Sequence, residues 1–265
     1  VRRIEAEAWY YLGIVRQQWN RIAEAADDYR TAHRLDPQPI EYLIAAAEML
    51  LDLGRPEEVD VLVEPVLDRH QGDPSLVVLL ARAAMIRDEP VVAAARYAEA
   101  RLLRPDDALL TEEYIRATFE AELYEDCLDA IRTHAASYEQ VRPDLLRIEA
   151  RCHATLGRPV RADAIYRELV RVAPGDADAW VEYGAIAWEL GDFSRLDLCG
   201  VRLQRLAPDR WESSAYRGLA AESDERWEEA ESYLRRAAAL GTDAAMPHLL
   251  LARFLESRGD AAGAE

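Results

Sequence analysis

The sequence predicts an all-α protein built from repeated pairs of antiparallel helices. Three observations predict this class: the same residue types return every 34 residues in all but one step, glycines share one place midway through the repeat, and prolines share the places where the second helix begins and ends. We therefore expect about 16 helices in one domain that covers residues 1–265.

Seven complete repeats and a truncated eighth follow from this register. Places are counted from the first residue of each repeat, and the repeats start at Ala6, Ile40, Pro74, Ala108, Pro143, Ala177, Trp211 and Ala245. The fourth repeat is one residue longer than the others, and we expect the extra residue in the loop around Ser137 to Arg142.

The first helix of most repeats has a small residue at the eighth place, where two helices can approach closely. These residues are Gly13, Ala47, Ala81, Ala150, Gly184, Gly218 and Ala252, with Ile115 as the exception. Glu149 and Arg217 occupy the seventh place, which is usually apolar, and Thr111 replaces an aromatic residue at the fourth. These departures predict looser packing.

Glycine recurs at the fifteenth place, where the first helix must end and the chain must turn. The glycines are Gly54, Gly157, Gly191 and Gly259. Glycine tolerates a positive φ at such a position, so the pattern predicts a tight turn between the two helices.

The second helix begins at the seventeenth place, where a proline costs no hydrogen bond. Prolines stand there at Pro56, Pro90 and Pro159, and the helix is closed at the thirty-second place by Pro37, Pro105, Pro174 and Pro208. Between these limits, the twentieth and twenty-fourth places form an apolar stripe that packs against first helices.

Two residues interrupt this second-helix pattern. Gly200 stands at the twenty-fourth place, so either Leu198 and Val201 fill the space or the helix bends. Pro65 lies inside another second helix and predicts a kink near Leu62.

The first repeat shows the full signature of aromatic, Leu-Gly, Ala, aromatic, Ala and Pro. The residues are Trp9, Leu12, Gly13, Ala25, Tyr29, Ala32 and Pro37. This signature resembles the tetratricopeptide repeat family, and the resemblance covers essentially the whole chain. It implies a right-handed α-solenoid that binds proteins or peptides in a concave groove without catalysis.

In that family the groove is lined chiefly by the second, fifth, ninth, twelfth and thirteenth places of the first helices. The resemblance assigns to it Tyr10, Ile14, Arg82, Arg116, Arg147, Arg151, Glu182 and Trp188. The aromatic residues in the remaining places are expected to be core.

Arginine holds the ninth place in three consecutive repeats, at Arg82, Arg116 and Arg151. Because guanidinium groups bind carboxylates bidentately, one hypothesis is an acidic peptide partner. The alternative, which we favour, is pairing within the chain, with Glu112 next to Arg116 and Glu48 one repeat away from Arg82.

The charge balance argues against several partner classes. A net charge of −18 disfavours nucleic acid and anionic membranes, and no stretch is apolar enough for insertion into a membrane. All 32 basic residues are arginine. This bias indicates a high-GC, bacterial genome and excludes a Schiff-base lysine.

No pattern in the sequence predicts a catalytic, metal or cofactor site. The three cysteines lack the paired spacing of zinc or redox sites, the five histidines are scattered, and phosphate-binding glycine motifs are absent. Sparse cysteines favour a reducing compartment, which favours the cytoplasm slightly and leaves the periplasm open.

We therefore expect a non-catalytic interaction scaffold. One alternative is a partner- or substrate-organising segment of a larger enzyme, and another is part of a cell-envelope polysaccharide export assembly. Because the chain starts at Val1 and stops inside a repeat, we expect a longer parent protein. The eighth repeat lacks a polar capping helix, so a further expectation is self-association through this end.

Overall fold

The computed structural model describes residues 1–70, 73–135 and 142–259, and within these ranges it contains fifteen α-helices and no strand. The helices are α1 (Arg2–Gln18), α2 (Ile22–Leu35), α3 (Ile40–Asp52), α4 (Pro56–Leu67), α5 (Pro74–Ile86), α6 (Pro90–Leu103), α7 (Ala108–Glu120), α8 (Tyr124–Ala135), α9 (Pro143–Thr155), α10 (Pro159–Val172), α11 (Ala177–Glu189), α12 (Phe193–Leu206), α13 (Trp211–Ser223), α14 (Trp227–Leu240) and α15 (Ala245–Ser257). The predicted all-α class and helix-turn-helix repeat are confirmed.

The helices follow the predicted register without a slip. From α3 onward every first helix begins at the first place of its repeat, and every second helix begins at the seventeenth. The predicted position of the extra residue, around Ser137 to Arg142, and the second helix of the eighth repeat fall largely outside the described residues. Both stay predictions.

The chain forms two compact units. The N-terminal unit, Val1–Ser137, contains α1 to α8, and the C-terminal unit, Tyr138–Glu265, contains α9 to α15. Within each unit consecutive helices pack against one another, and neighbouring first helices such as α3 and α5, or α13 and α15, also touch. The reading of residues 1–265 as a single domain stays a prediction.

The residue at the fifteenth place, just after the end of the first helix, has a positive φ in all eight repeats. The four predicted glycines have φ between 66° and 80° there. Residues other than glycine occupy the same conformation at Asn20, Asp88, Glu122 and Glu225, with φ between 58° and 60°. The repeat register therefore fixes this turn even where no glycine marks it.

Small residues at the eighth place admit close helix contacts, as predicted. A Cβ atom added to Gly13 would lie 2.6 Å from the ring of Tyr29, and one added to Gly218 would lie 2.8 Å from Leu234. Both partners occupy the twenty-fourth place of the same repeat, so these two places form the contact between the helices of a pair.

The expectation that Leu198 fills the space beside Gly200 is wrong, because Leu198 is exposed. A Cβ atom on Gly200 would meet Cγ of Arg217 at 2.6 Å and the carbonyl oxygen of Ser213 at 2.9 Å. The missing side chain therefore lets α12 approach α13 directly, and α13 itself occupies the space.

Pro65 lies inside α4, which continues through it to Leu67. Because proline has no backbone N–H, α4 lacks the hydrogen bond that position 65 would otherwise donate to the carbonyl oxygen of Val61. The predicted kink near Leu62 stays a prediction.

Candidate functional site

A cavity of about 510 Å³ opens on the first helices of the N-terminal unit. We call it the first-helix groove, and it is lined by Gln17, Glu48, Met49, Leu51, Asp52, Arg82, Met85, Ile86, Tyr97 and Glu113. These residues come from α1, α3, α5 and α7, with Tyr97 from α6. Several of them hold the ninth, twelfth and thirteenth places that the family resemblance assigns to a groove.

Part of the groove wall is apolar. Met49 is buried, Leu51 and Met85 are half-buried, and Ile86 is exposed at the edge. Methionine side chains are flexible and polarizable, so a wall of this composition can adapt to partners of different shape.

Arg82 reaches from α5 to α7 and is held there by Glu113. Its Nε and Nη2 atoms donate hydrogen bonds to Oε1 of Glu113, at 3.0 and 2.6 Å. Tyr97 lies beside the pair, and burial, followed by the charge of Glu113, raises the pKa of its hydroxyl. Arg82 is thus paired within the chain, although its partner is Glu113 and not Glu48.

Glu48 and Asp52 lie one turn apart on α3, and both are exposed toward the groove. Within the described part of the chain, neither carboxylate forms an ion pair. The groove therefore carries three carboxylates and one guanidinium, and the guanidinium is already engaged by Glu113.

Tyr10 and Ile14 of α1 contribute mainly to the core. The Tyr10 ring centroid lies 5.4 Å from that of Tyr29 and 4.8 Å from that of Tyr42, and Ile14 is half-buried against the same apolar cluster. Their half-burial reflects contact with the neighbouring α2 and α3.

Arg116 of α7 is exposed, and the structure brings no carboxylate to it among the described residues. Its predicted partner, Glu112, lies instead 3.6 Å from Nε2 of the buried His134 on α8. The predicted Glu112–Arg116 pair is therefore absent from the structure, because Glu112 points toward the second helix of its own repeat.

The C-terminal unit brings together three of the predicted residues. Arg151 of α9 donates to Oε1 of Glu182 on α11, with Nε at 3.0 Å, and Nε of Arg147 lies 3.8 Å from the other oxygen of Glu182. Arg147 is also paired with Asp176. The Arg151–Glu182 pair has the same spacing in the repeat as Arg82–Glu113, so one arrangement occurs in both units.

Trp188 lies apart from these arginines, in a cavity of about 420 Å³ lined by Trp188, Phe193, Leu219, Glu222, Ser223 and Arg253. Nη2 of Arg253 lies 3.0 Å from Oε2 of Glu222. Here too the arginine is paired with a carboxylate of the chain.

The hypothesis of an acidic partner is not supported by this geometry. Arg82, Arg147 and Arg151 are all engaged by carboxylates on the next first helix or at its start. A carboxylate ligand would have to displace an internal one. The sequence analysis did not single out Glu113 and Asp52, since nothing in residue type distinguishes them from solvated carboxylates. Glu113 lies in the repeat after that of Arg82, at the sixth place and not the ninth, so spacing alone does not identify the pair.

Other chemistry has little support in the described ranges. They contain no group of three or more His, Cys, Asp or Glu side chains that could hold a metal ion. The three cysteines are buried and are not joined in disulfides, and burial raises the pKa of the Cys199 thiol to about 12. No described helix combines the length and apolar character needed to cross a bilayer.

No protein-family model matches the chain. The chain is 30% identical over 223 residues to the cellulose synthase 2 operon protein C of Komagataeibacter xylinus. The alignment covers 75% of this chain and 16% of that protein, so the chain spans about one sixth of the length of this curated relative.

Solved structures with a similar fold are tetratricopeptide repeat proteins. The C-terminal part of such a protein from Cytophaga hutchinsonii superimposes with a TM-score of 0.73 at 10% identity, over 91% of this chain and 99% of that one. YrrB, described as having an unusual peptide-binding site, gives 0.60 at 17% identity, over 74% and 97%. At such low identity the likeness shows the fold alone.

Proposed function

Since this chain has the tetratricopeptide-repeat fold, we propose that it is a non-catalytic scaffold that holds an extended segment of a partner protein in the first-helix groove. The observation that carries the proposal is the groove itself, in which apolar side chains of α3 and α5 share one open cavity with the carboxylates of Glu48 and Asp52 on α3. Grooves of this kind, mostly preformed and with a few polar groups, are where proteins bind ligands.

The likeness to YrrB supports the same proposal, because that protein is described as having a peptide-binding site. Repeat proteins in general use their extended inner surfaces for partners. The described part of this chain contains no group of three or more His, Cys, Asp or Glu side chains that could hold a catalytic metal ion.

The proposal is tested by selecting short random peptides on the purified chain and measuring their binding to two variants. Met85→Trp fills the groove, whereas Val91→Trp adds the same side chain to an exposed position on α6, outside the groove. We expect Met85→Trp to weaken binding by about tenfold or more and Val91→Trp to leave it unchanged. Peptides that bind both variants equally, or a selection that yields no binder, would contradict the proposal.

The similarity to the cellulose synthase 2 operon protein C favours a second candidate function. In it, the chain serves as a repeat segment of a polysaccharide export assembly, and its bound partner is another component of that assembly. An in-frame deletion of the codons for residues 1–265 in the source organism tests this candidate. We expect loss of cellulase-sensitive polymer outside the cell with glucan synthesis retained in isolated membranes; an unchanged amount of exported polymer would contradict it.

A further inference from the structure

We propose that the first-helix groove selects a basic peptide, in which an Arg or Lys side chain is flanked by apolar residues. This inference rests on the proposed function and names the chemistry of its partner. The charge of this peptide is opposite to that of the acidic peptide considered from the arginines in the sequence, because the structure shows which charges of the groove are already paired.

The charge of the groove is set by Glu48, Asp52, Arg82 and Glu113. Arg82 gives two hydrogen bonds to Glu113, so this pair offers a ligand no free guanidinium. Glu48 and Asp52 have no ion-pair partner within the described ranges. The groove lining therefore has three carboxylates and one guanidinium, and a ligand that enters it meets an excess of negative charge.

Glu48 and Asp52 are spaced i, i+4 on α3, and like charges at this spacing destabilise a helix. A guanidinium or ammonium group placed between them would remove this repulsion and gain two charge-assisted hydrogen bonds. An acidic ligand would add to the repulsion instead.

The apolar wall accounts for the rest of the ligand. Leu51, Met85 and Ile86 lie beside the two carboxylates, and they can cover the aliphatic stem of an Arg or Lys side chain whose charged end reaches α3. An apolar residue next to that side chain would fill the remainder of the cavity. The groove thus combines an apolar surface with a negative end, and a basic, partly apolar segment matches both.

The net charge of the whole chain is negative, as is the charge of the groove. Its net charge of −18 attracts a cationic segment and raises the rate at which it encounters the groove. Binding should therefore weaken as the NaCl concentration rises, since salt screens exposed charges.

The test uses the full chain and short random peptides, selected in a buffer that contains EDTA so that no divalent cation can occupy the carboxylates. Binders are measured against Glu48→Gln/Asp52→Asn and against the control Glu57→Gln/Glu64→Gln. The control also removes two negative charges, but from exposed positions on α4 that lie outside the groove. Both variants replace carboxylates by amides of nearly the same shape, and circular dichroism checks that both stay folded.

We expect the selected peptides to be enriched in Arg and Lys, to lose about tenfold in affinity on Glu48→Gln/Asp52→Asn, and to change less than about twofold on the control. Replacing the basic residues of each peptide by Gln should have the same effect as the groove variant.

Two results would overturn the inference, and they are distinguishable. If peptides depend on Met85 but carry no basic residues, or bind the Glu48→Gln/Asp52→Asn variant as well as the native chain, the basic selectivity falls while the groove function stands. If no peptide depends on Met85, both fall.

Discussion

Glu225 and Glu122 show, at the scale of single residues, how the repeat register can override residue preference. Both hold the left-handed conformation at the fifteenth place, with φ of 59°, where glycine is favoured. A residue with a Cβ atom is strained there by about 1–2 kcal/mol. Glycine removes this strain, but it also makes the unfolded state more flexible, so a substitution to glycine recovers only part of the energy.

We therefore predict that Glu225→Gly increases the free energy of unfolding by about 0.5–1 kcal/mol, and that Gly157→Ala decreases it by about 1 kcal/mol. Nothing lies within 4 Å of a Cβ atom at Gly157, so its loss would come from the backbone alone. Urea denaturation followed by circular dichroism measures both changes.

Gly175→Ala is the matched control, because Gly175 also has open space around it but does not need a positive φ. Its stability should stay within about 0.5 kcal/mol of the native chain. A loss as large as that of Gly157→Ala would mean that the turn conformation is not the cause.

A half-buried carboxylate makes a prediction about pH. Glu149 occupies the usually apolar seventh place, has no ion pair in the part of the chain that is described, and its pKa is raised by burial above the ordinary value of 4.5. The native state therefore binds a proton more tightly than the unfolded state, so the free energy of unfolding falls as pH rises from about 4.5 through the raised native pKa.

We expect Glu149→Gln to be more stable than the native chain at pH 7.5, and we expect this difference to shrink at pH 4.5. Thermal unfolding at the two pH values measures it. The exposed Glu120→Gln serves as the control and should follow the native chain at both. A constant difference between Glu149→Gln and the native chain would exclude protonation of Glu149 as the cause.

The sequence alone could predict most of the turn and core residues but few of the polar contacts. The register assigns Tyr29, Gly13 and the fifteenth-place turn because these positions depend on spacing within one repeat. The partner of Arg82 depends on how one first helix is rotated against the next, which spacing does not determine. For that reason the sequence could not tell Glu113 from Glu48 or Glu112.

At the scale of elements, ionic contacts join helices of successive repeats. Asp163 of α10 is buried and accepts hydrogen bonds from Arg167 on its own helix, at 2.7 Å, and from Arg195 on α12. The second contact links two second helices across a repeat boundary, whereas the main packing contacts of both helices are with first helices.

We predict that Asp163→Asn decreases the free energy of unfolding by about 1–3 kcal/mol, since it weakens two charge-assisted hydrogen bonds at a buried site. Glu168→Gln on the same helix breaks an ion pair with Arg171 at the protein surface, and should leave the denaturation midpoint unchanged within error. Equal effects of the two substitutions would show that burial of Asp163 does not matter.

At the scale of the whole molecule, each compact unit has its own apolar core. The N-terminal unit buries residues such as Leu43, Leu50 and Leu76, and the C-terminal unit buries residues such as Leu169, Leu196 and Leu234. Repeat proteins gain stability from neighbouring repeats only, so a part that keeps several complete repeats can fold by itself.

We predict that residues 1–137 and residues 138–265, produced separately, each give the circular dichroism spectrum of a helical protein and unfold cooperatively in urea. A fragment whose helical signal is lost without denaturant would show that its core depends on the other unit. The full chain, measured under the same conditions, is the reference.

All fourteen helices from α2 to α15 start at the first or the seventeenth place of the repeat. The residue at the fifteenth place has the same left-handed conformation throughout. A tandem duplication or deletion in the gene that spans one period, wherever its breakpoints fall, therefore joins a half-repeat to the matching half of another and restores the original phase. Chains with a different number of repeats can arise in a single genetic step, and the helices at the new junction keep the packing positions of the original repeat. Unequal recombination can in this way lengthen or shorten the protein in increments of one hairpin.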